Sequence, residues 1–318
     1  MNAVLADVQD MPRATYLGSS DVAALMRVSK WKTPLDVYLA KTEPKVDAPP
    51  DPDRSRILRR GHRLEPFIVQ MGIDALRDAG HQVELVAHGR RYQHPEHGFI
   101  AAEIDAELMV DGEHVNFEAK SANRRNYDEW GEEGTDEIPI YYAAQVSLAQ
   151  AVTGRRATWV GAVFGLDDVV LYYLPADDEL NSTLIDTCVS FWNDHVLARV
   201  PPEPMTLVDL ARMYRKVGPP PVEADEATLK AALRLREIRQ QEKQLEESAD
   251  ECVLAVQSYM GESDTLLVEG KPLLTAKNQV RTLIDGKRLA REQTAIYESY
   301  LRETTSRPIL FKRGKNAP

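Results

Sequence analysis

Alternating apolar and polar positions predict an acidic β-hairpin in the middle of the chain. The two alternating runs flank Asp111-Gly112, a dipeptide that favours a two-residue hairpin turn. If these two residues form the loop, the strands pair so that Asp105 lies opposite Glu118. Lys120 then projects from the same face as Glu118, because successive strand side chains alternate between faces. The pattern therefore predicts two facing carboxylates with a lysine beside them.

Helical periodicity and capping signals predict helices before and after this hairpin. The predicted helices span 19–26, 34–41, 56–79, 141–153 and 177–198, and the predicted strands span 82–88, 98–110, 114–120, 157–164 and 169–174. Ser19 or Ser20 would cap the first helix, and Thr33 with Pro34 would open the second. This order of elements predicts an α/β fold with a mixed sheet flanked by helices.

Three segments interrupt or precede the predicted core domain, which is assigned to 16–203. Residues 1–15 are expected to form a disordered N-terminus. Residues 44–53 contain four prolines and are expected to form a loop. Residues 121–138 are polar and acidic, and a mobile loop is expected there.

A different pattern follows Pro204. A linker with a short helix at about 206–216 is predicted for 204–221, and a long charged helix follows it. The apolar seam of this helix repeats with steps that alternate between four and three residues. The seam consists of Ala231, Leu235, Ile238, Glu242, Leu245, Ala249, Cys252, Val256 and Tyr259. It must pack on a partner helix, on the core domain or on another subunit.

The end of the chain is predicted to complete a C-terminal helical, coiled-coil-like extension at 222–318. Two short strands are predicted at 265–269 and 279–284, and a final helix at 286–303 carries a basic tail.

Composition excludes several classes of protein. The chain has 318 residues, 43% of them hydrophobic and 28% charged, which is long enough for two domains. Cys188 and Cys252 are the only cysteines, so a Cys-rich zinc site or a four-cysteine iron–sulfur site is excluded. No apolar run approaches the length of a membrane span, and no signal peptide is expected. A reduced cytoplasm is the expected setting.

Charge is distributed unevenly along the chain. The net charge of −11 has the wrong sign for a protein that coats nucleic acid. Residues 271–318 nevertheless contain eleven Lys and Arg against four Asp and Glu, a local charge of +7. A second basic cluster consists of Arg54, Arg56, Arg59, Arg60, His62 and Arg63. Such clusters would bind DNA at defined places, although ordinary solvated helix faces also carry them.

The acidic hairpin suits metal-dependent cleavage of a phosphodiester. Facing carboxylates repel each other, and hard divalent metals prefer oxygen ligands of this kind. Such metals activate water and neutralise charge on phosphate oxygens. Glu65 is a third acid that would reach the site, and Tyr141 and Gln145 lie one helical turn apart after the hairpin. Acidic hairpins that end in Glu-x-Lys also arise by chance, so the pattern alone does not establish catalysis.

Several motifs at consistent spacing point to a known family. They are Gly18–Leu25, Trp31–Pro34, Gly61–Pro66, Ile104–Ala106, Phe117–Ser121, Ile138–Val146 and Phe191–Trp192. Over about 16–203 the chain resembles the YqaJ-like viral recombinase family, phage alkaline exonucleases related to the lambda phage exonuclease. The resemblance implies a PD-(D/E)xK, restriction-endonuclease-like core.

The resemblance also implies which residues bind metal. Asp105 and Glu118 would bind Mg²⁺, for which Mn²⁺ would substitute, and the backbone carbonyl of Ala119 would add an oxygen ligand. Glu65 would support a second metal or a metal-bound water.

Further roles follow from the resemblance for residues near the scissile phosphate. Lys120 would position the attacking water and stabilise charge. Gln145 would hold this lysine or the phosphate, and Tyr141 would support Gln145. The chain departs from the family at Ala106, where glycine is usual, and at Ala102-Glu103, where a small polar residue is usual. Neither departure removes a metal ligand, but both bear on the fine geometry.

Recognition of a DNA end is expected near the start of the core domain. Helix N-termini bind phosphate through free N–H groups, so Ser19-Ser20 and Arg27 would form a pocket for a 5′-phosphate. Trp31 would stack on an end base or wedge it apart from its partner. The alternatives are an N-cap serine pair, a surface arginine and a core tryptophan. Further residues expected to contact DNA are Arg59, Arg63 and Ser121.

The residues and the resemblance together predict a Mg²⁺-dependent 5′–3′ exodeoxyribonuclease. It would act on double-stranded DNA ends and leave 3′ single strands for phage-type recombination. The alternatives are a structure-specific or nicking endonuclease on the same fold, or a catalytically degenerate DNA-binding scaffold. The resemblance further implies a trimeric homo-oligomer, a single-strand annealing protein as partner, and the host cytoplasm as location if the chain is phage-encoded.

Overall fold

A mixed six-stranded sheet lies at the centre of residues 1–210, the first of two compact units in the chain. The computed structural model describes residues 7–43, 52–165, 167–214, 218, 220–301 and 307–311. The strands are β1 Leu17–Gly18, β2 Val83–Gln93, β3 Ile100–Val110, β4 Glu113–Ala122, β5 Ala157–Phe164 and β6 Val169–Pro175. They are ordered β1-β3-β4-β5-β6, and β2 also pairs with β3. The β1–β3 and β4–β5 pairs are parallel, and the other pairs are antiparallel.

Helices cover both faces of this sheet. The helices in this part of the chain are α1 Ser19–Leu25, α2 Pro34–Thr42, α3 Pro52–Asp78, α4 Ile140–Thr153, α5 Asp178–Phe191 and α6 Leu207–Met213. On one face α3 packs against Phe117, and on the other face α4 packs Val146 against Val160. A Cβ atom at Gly72 or Gly161 would lie 2.3 or 2.6 Å from Cζ of Phe117, so only glycine permits this close packing. The predicted α/β class, a mixed sheet flanked by helices, is confirmed.

β3 and β4 form the hairpin that the alternating pattern predicts. Their register pairs Ala106 with Phe117, so Asp105 and Glu118 are the next residues along each strand. Asp111 and Gly112 both have positive φ angles, 51° and 86°, as a tight two-residue turn requires. The predicted turn and register are therefore confirmed.

The start of the chain differs from the prediction. Asp7 forms a β-bridge with Tyr92, the Val8 N–H donates to the Arg91 carbonyl, and a 3₁₀ helix spans Arg13–Thr15. Residues 7–15 therefore belong to the fold, and their assignment to a disordered N-terminus is wrong. Residues 1–6 lie outside the described residues.

The N-cap predicted for α1 is also wrong. Gly18 is the N-cap, and Ser19 and Ser20 lie within the first turn of the helix. The Gly18 N–H donates to the Asp21 carboxylate at 3.2 Å, so Asp21 supplies the capping acceptor. At α2 the predicted cap is confirmed, because the Thr33 hydroxyl accepts the Asp36 N–H at 3.3 Å.

The polar segment after β4 is attached to the sheet. It contains a 3₁₀ helix at Arg124–Glu129 and the buried residue Trp130. The Gly134 N–H donates to the Leu171 carbonyl at 2.8 Å, and the Tyr173 N–H donates to the Thr135 carbonyl at 3.1 Å. The segment is thus held against β6, and the mobility expected for it stays a prediction. The loop expected at 44–51 lies outside the described residues, and 52–53 belong to α3.

The helices at the end of the first unit begin and end at slightly different residues from those predicted. α5 ends at Phe191, and a π-helical stretch at Trp192–Leu197 completes the helix predicted at 177–198. α6 accounts for the short helix predicted at 206–216, although 215–217 lie outside the described residues. None of the described helices is both long and apolar enough to span a membrane.

The second unit, residues 211–318, contains the predicted long helix. Its elements are α7 Glu226–Met260, β7 Thr265–Val268, β8 Lys271–Thr275, α8 Gly286–Glu292 and α9 Thr294–Ser299. Gly261 follows α7 with a φ of 57°, a conformation that suits glycine.

Two predictions for the second unit are wrong. The second strand is not at 279–284 but at Lys271–Thr275, because Glu269 and Gly270 both have positive φ angles and turn the chain back at once. The helix predicted at 286–303 is divided at Gln293, whose ψ of 52° breaks the helical path. Residues 302–306 and the basic tail at 312–318 lie outside the described residues.

Candidate active site

Asp105 and Glu118 lie side by side near the end of the β3–β4 hairpin that is remote from its turn. Glu118 is buried, and Asp105 is partly accessible. The Ala119 N–H donates to Oδ2 of Asp105 at 2.8 Å, which fixes one carboxylate oxygen against the neighbouring strand. The predicted juxtaposition of these two acids is therefore present in the structure.

Electrostatics at the carboxylate pair favour a bound cation. Burial raises the pKa of Asp105 well above its usual range, and the nearby Glu118 raises it further, while Lys120 opposes both effects. Two hard carboxylates at one point are the ligands that Mg²⁺ takes from a protein, usually together with several waters. The residue types at this point, two carboxylates side by side, thus fit a divalent metal.

Glu65 is near this pair but does not join it in a ligand cluster. Among the described residues no three His, Cys, Asp or Glu side chains lie close enough together to hold a metal ion. Burial raises the pKa of Glu65, while His62 opposes this shift and the charges of Glu118 and Glu103 add to it. His62 Nδ1 lies 3.7 Å from the Glu65 carboxylate. The structure therefore places Glu65 at the edge of the site.

Lys120 is held beside the carboxylates by three groups. Its Nζ contacts Oε1 of Glu118, lies 3.2 Å from Oε1 of Gln145 and sits 4.7 Å from the ring centroid of Tyr142. Burial alone would lower the pKa of Lys120, but Glu118 and Asp105 raise it above the ordinary lysine value. The Lys120 ammonium is therefore held in one position beside the carboxylate pair.

Gln145 connects α4 to both partners. Its Nε2 donates to Oε1 of Glu118 at 2.6 Å, while its Oε1 accepts from Lys120. The role predicted for Gln145 in holding the lysine agrees with this geometry.

Tyr141 has a different role from the predicted one. Its hydroxyl donates to Glu129 at 2.8 Å, and Lys30 Nζ lies 2.5 Å from the same carboxylate. No hydrogen bond joins Tyr141 to Gln145 within the part of the chain that the structure describes, so the proposed support of Gln145 is not seen. Tyr141 instead packs against the edge of Trp31, with ring centroids 4.8 Å apart.

Several residues of this site were not found from the sequence. Glu129 and Lys30 are far apart in the chain and look like ordinary surface charges. Tyr142 follows Tyr141 directly, and the adjacent aromatic pair was the only sequence signal for its contact with Lys120.

An aromatic cleft of about 730 Å³ opens next to Gln145. Its aromatic and aliphatic lining residues are Trp31, Trp130, Tyr141, Tyr142, Ile57 and Leu58. Its polar lining includes Ser20, Lys32, Ser121 and Gln145. Trp31 is 57% exposed, so the alternative of a core tryptophan is wrong.

The other residues predicted to contact DNA are scattered. Ser19 is buried, and the exposed side chains of Arg27, Arg59 and Arg63 are not among the described residues that line the cleft. Arg59 and Arg63 lie on the same part of α3 as the lining residues Ile57 and Leu58.

A cluster of positive charge lies beside the cleft, around the buried carboxylate of Asp21. Arg13 contacts Asp21, Lys32 lies 3.1 Å from it and Lys41 lies 3.3 Å from it. One acid is thus surrounded by three cations. Lys32 and Ser20 both line the cleft, so part of this positive charge lies in the same cleft as the Ser20 hydroxyl.

Comparison with known proteins agrees with the motifs in the sequence. Residues 11–156 match the family model described as the YqaJ-like viral recombinase domain. The chain is 28% identical to the uncharacterized protein YqaJ of Bacillus subtilis (strain 168), over 97% of each chain. A solved structure of the alkaline exonuclease LHK-Exo from Laribacter hongkongensis is 18% identical, with a TM-score of 0.43, and covers 59% of this chain and 91% of that chain. A structure of LHK-Exo in complex with dAMP is 17% identical, with a TM-score of 0.44 and coverage of 64% and 95%.

The segment that matches the family model, residues 11–156, contains the hairpin with the carboxylate–lysine site. The resemblance recognised from the sequence is therefore confirmed over these residues.

Proposed function

We propose that this chain is a Mg²⁺-dependent exodeoxyribonuclease that degrades one strand of double-stranded DNA from a 5′ end. The proposal rests above all on Asp105 and Glu118, two facing carboxylates with Lys120 fixed beside them and an aromatic cleft adjacent. Mn²⁺ would substitute for Mg²⁺, because the same oxygen ligands suit both ions. The 3′ single strand left behind would serve recombination.

The residues of the site have distinct tasks in this reaction. Asp105, Glu118 and the Ala119 carbonyl would hold the metal, which when bound lowers the pKa of water and neutralises phosphate charge. Lys120, held in position by Glu118 and Gln145, would orient the attacking water and balance charge on the phosphate. Gln145 keeps Lys120 and Glu118 in place through its two hydrogen bonds. Glu65 would act from the edge of the site on a second metal or a bound water.

The cleft is suited to the end of a DNA strand. Ser20 and Lys32 provide a hydroxyl donor and positive charge for a 5′-phosphate, supported by the cations around Asp21. Trp31 offers an exposed aromatic ring to a terminal base, and Ser121 lines the same cleft. Arg59 and Arg63 on α3 would contact the backbone of the duplex. Ser19 and Arg27, which do not line the cleft, are excluded from this binding mode.

Family resemblance supports two further parts of the proposal. A trimer that encloses DNA would make degradation processive, and a single-strand annealing protein would receive the 3′ strand.

Digestion of linear and closed circular duplex DNA with Mg²⁺ tests the proposal. We expect loss of linear DNA only, faster with 5′-phosphate than with 5′-hydroxyl ends, and no loss with a Glu118→Ala/Lys120→Ala variant. Labels at each end of one strand report the direction of degradation. Cutting of circles would favour a nicking endonuclease, and absence of any Mg²⁺-dependent cleavage would favour a DNA-binding scaffold.

Replacement of Trp31 by alanine should weaken use of blunt DNA ends. Base–aromatic stacking contributes about 1–3 kcal/mol per base, so KM for blunt duplex should rise roughly 5- to 150-fold. Steady-state kinetics on blunt and frayed duplexes of equal length measure this change. Trp31→Phe is the matched variant and should retain most of the stacking, whereas equal kinetics for Trp31→Ala and wild type would contradict the role of Trp31.

A further inference from the structure

The apolar seam of α7 is exposed along most of its length. The helix has 35 residues and is therefore roughly 52 Å long. Leu245 and Tyr259 are 69% and 84% exposed, and the other seam residues are exposed or half-buried. Apolar side chains at heptad spacing favour packing against another helix. The question is which helix fits this seam.

Heptad spacing places charged residues at the edges of the seam. With Leu235 at an a position, Arg239 and Glu246 occupy e positions and Arg234 occupies a g position. Glu242 occupies an a position within the seam itself. Residues at e and g determine which orientation of two helices is electrostatically favourable.

A parallel, in-register pair of α7 helices would bring like charges together. Arg234 would face the partner's Arg239 on both sides of the pair, and Glu242 would face the partner's Glu242 inside the seam. Like charges at these positions act against the pairing.

We propose that α7 pairs antiparallel with α7 of a second copy of this chain, with Leu235 facing the partner's Leu245. This two-fold contact is separate from the three-fold contact of the trimer proposed above, and it would join a subunit of one trimer to a subunit of another. In this register Arg239 lies opposite the partner's Glu246, and the two-fold symmetry of the pair forms this ion pair twice. The charges that repel in the parallel pair are thus replaced by charges that attract. Charge complementarity selects a second copy of this chain as the occupant of the seam.

The remaining layers of the seam are compatible with this register. Ala231 faces the partner's Ala249, a small pair that lets the helices approach closely. Ile238 faces the partner's Glu242, which lies beside Arg239 and so gains a cationic neighbour. A polar residue at an a position is a known device for fixing register.

Arg239 retains the donors that this pairing requires. One Nη donates to the Ile309 carbonyl at 2.6 Å, and the guanidinium carbon lies 5.8 Å from the ring centroid of Phe311. A guanidinium has five N–H donors, so it can bind this carbonyl and a partner carboxylate together.

Sedimentation equilibrium of the full-length chain tests the charge pairing. Glu246→Arg places two arginines opposite each other twice and should weaken association at least about tenfold. The double variant Arg239→Glu/Glu246→Arg restores opposite charges and should recover association to within about threefold. Glu247→Arg is the matched control, because Glu247 lies outside the seam and pairs only weakly with Lys243 at 3.4 Å. A wild type that is monomeric or that associates no further than a trimer would overturn the proposal, as would Glu246→Arg associating as well as Glu247→Arg.

Cysteine crosslinking tests the orientation independently. A Leu235→Cys/Leu245→Cys variant in a Cys252→Ser background should form a covalent dimer under mild oxidation, because the two new thiols face each other in the antiparallel pair. The same chain with only Leu235→Cys should not. Crosslinking of wild type through Cys252 would indicate the parallel pair and overturn the proposal, as would absence of the expected covalent dimer.

Discussion

Replacement of Lys120 by methionine should lower the rate of DNA cleavage about 100- to 1,000-fold, the loss typical when one preorganised charge-stabilising donor is removed. The Lys120 ammonium contacts Glu118 and lies 3.2 Å from Gln145, so it is fixed beside the carboxylate pair. Methionine keeps most of the side-chain length and the contact with Tyr142 but removes the charge. Single-turnover rates on linear duplex DNA at saturating Mg²⁺ measure the effect.

Two control variants separate this effect from a structural one. Glu113→Gln changes an exposed residue beside the turn of the same hairpin and should leave the rate unchanged. Lys120→Arg keeps the charge but not the compact ammonium geometry, and it should recover only part of the activity. A Lys120→Met protein that cleaves within about threefold of wild type would remove Lys120 from the charge-stabilising role.

The central part of the site could be predicted because it depends on local rules. The Asp111-Gly112 turn fixes the register of β3 against β4, and that register alone brings Asp105 next to Glu118. Gln145 followed from helical spacing together with the family motif. The positions of Asp105 and Glu118 therefore do not depend on how distant segments of the chain meet.

The surroundings of the site could not be predicted because they depend on tertiary packing. Trp31 has a large apolar side chain of the type that is usually buried, yet it is exposed at the cleft beside α4 and the segment after β4. Glu129 joins Lys30 and Tyr141 across long sequence separations, and no periodic pattern marks such a contact. Tyr141 was expected to support Gln145 because the two share a helix face. The Tyr141 hydroxyl instead donates to the carboxylate of Glu129, which is a stronger acceptor because it is charged.

Errors elsewhere have similar physical causes. The tight turn at Glu269-Gly270 demands positive φ from a glutamate, which residue type alone does not suggest. Ser19 and Ser20 are good N-cap residues, but Gly18 takes that position because Asp21 provides a carboxylate acceptor three residues later.

Replacement of Asp21 by asparagine should destabilise the first unit by about 3 kcal/mol, since removing one partner of a buried ion pair leaves the other charge uncompensated. Asp21 is 3% exposed, and the side chain of Lys41 beside it is only 2% exposed. All four tryptophans lie between residues 31 and 192, so urea unfolding followed by tryptophan fluorescence reports on this unit. Asp74→Asn, which removes an exposed acid 3.7 Å from Arg77, is the control and should change stability by less than about 0.5 kcal/mol.

The cost of Asp21→Asn should depend on pH in a defined direction. Burial lowers the pKa of Lys41 to about 8, although the Asp21 charge opposes this shift. Because Lys41 binds its proton more tightly in the unfolded chain than in the folded chain between about pH 8 and 10.5, the contribution of Lys41 to wild-type stability rises with pH across this window. Once Lys41 is neutral it no longer needs Asp21 as its partner, so the cost of Asp21→Asn should be smaller at about pH 9.5 than at about pH 6.5. A cost that is equal at both pH values, or that grows with pH, would show that Lys41 is not the charge that Asp21 compensates, and would leave Arg13 and Lys32 as its main partners.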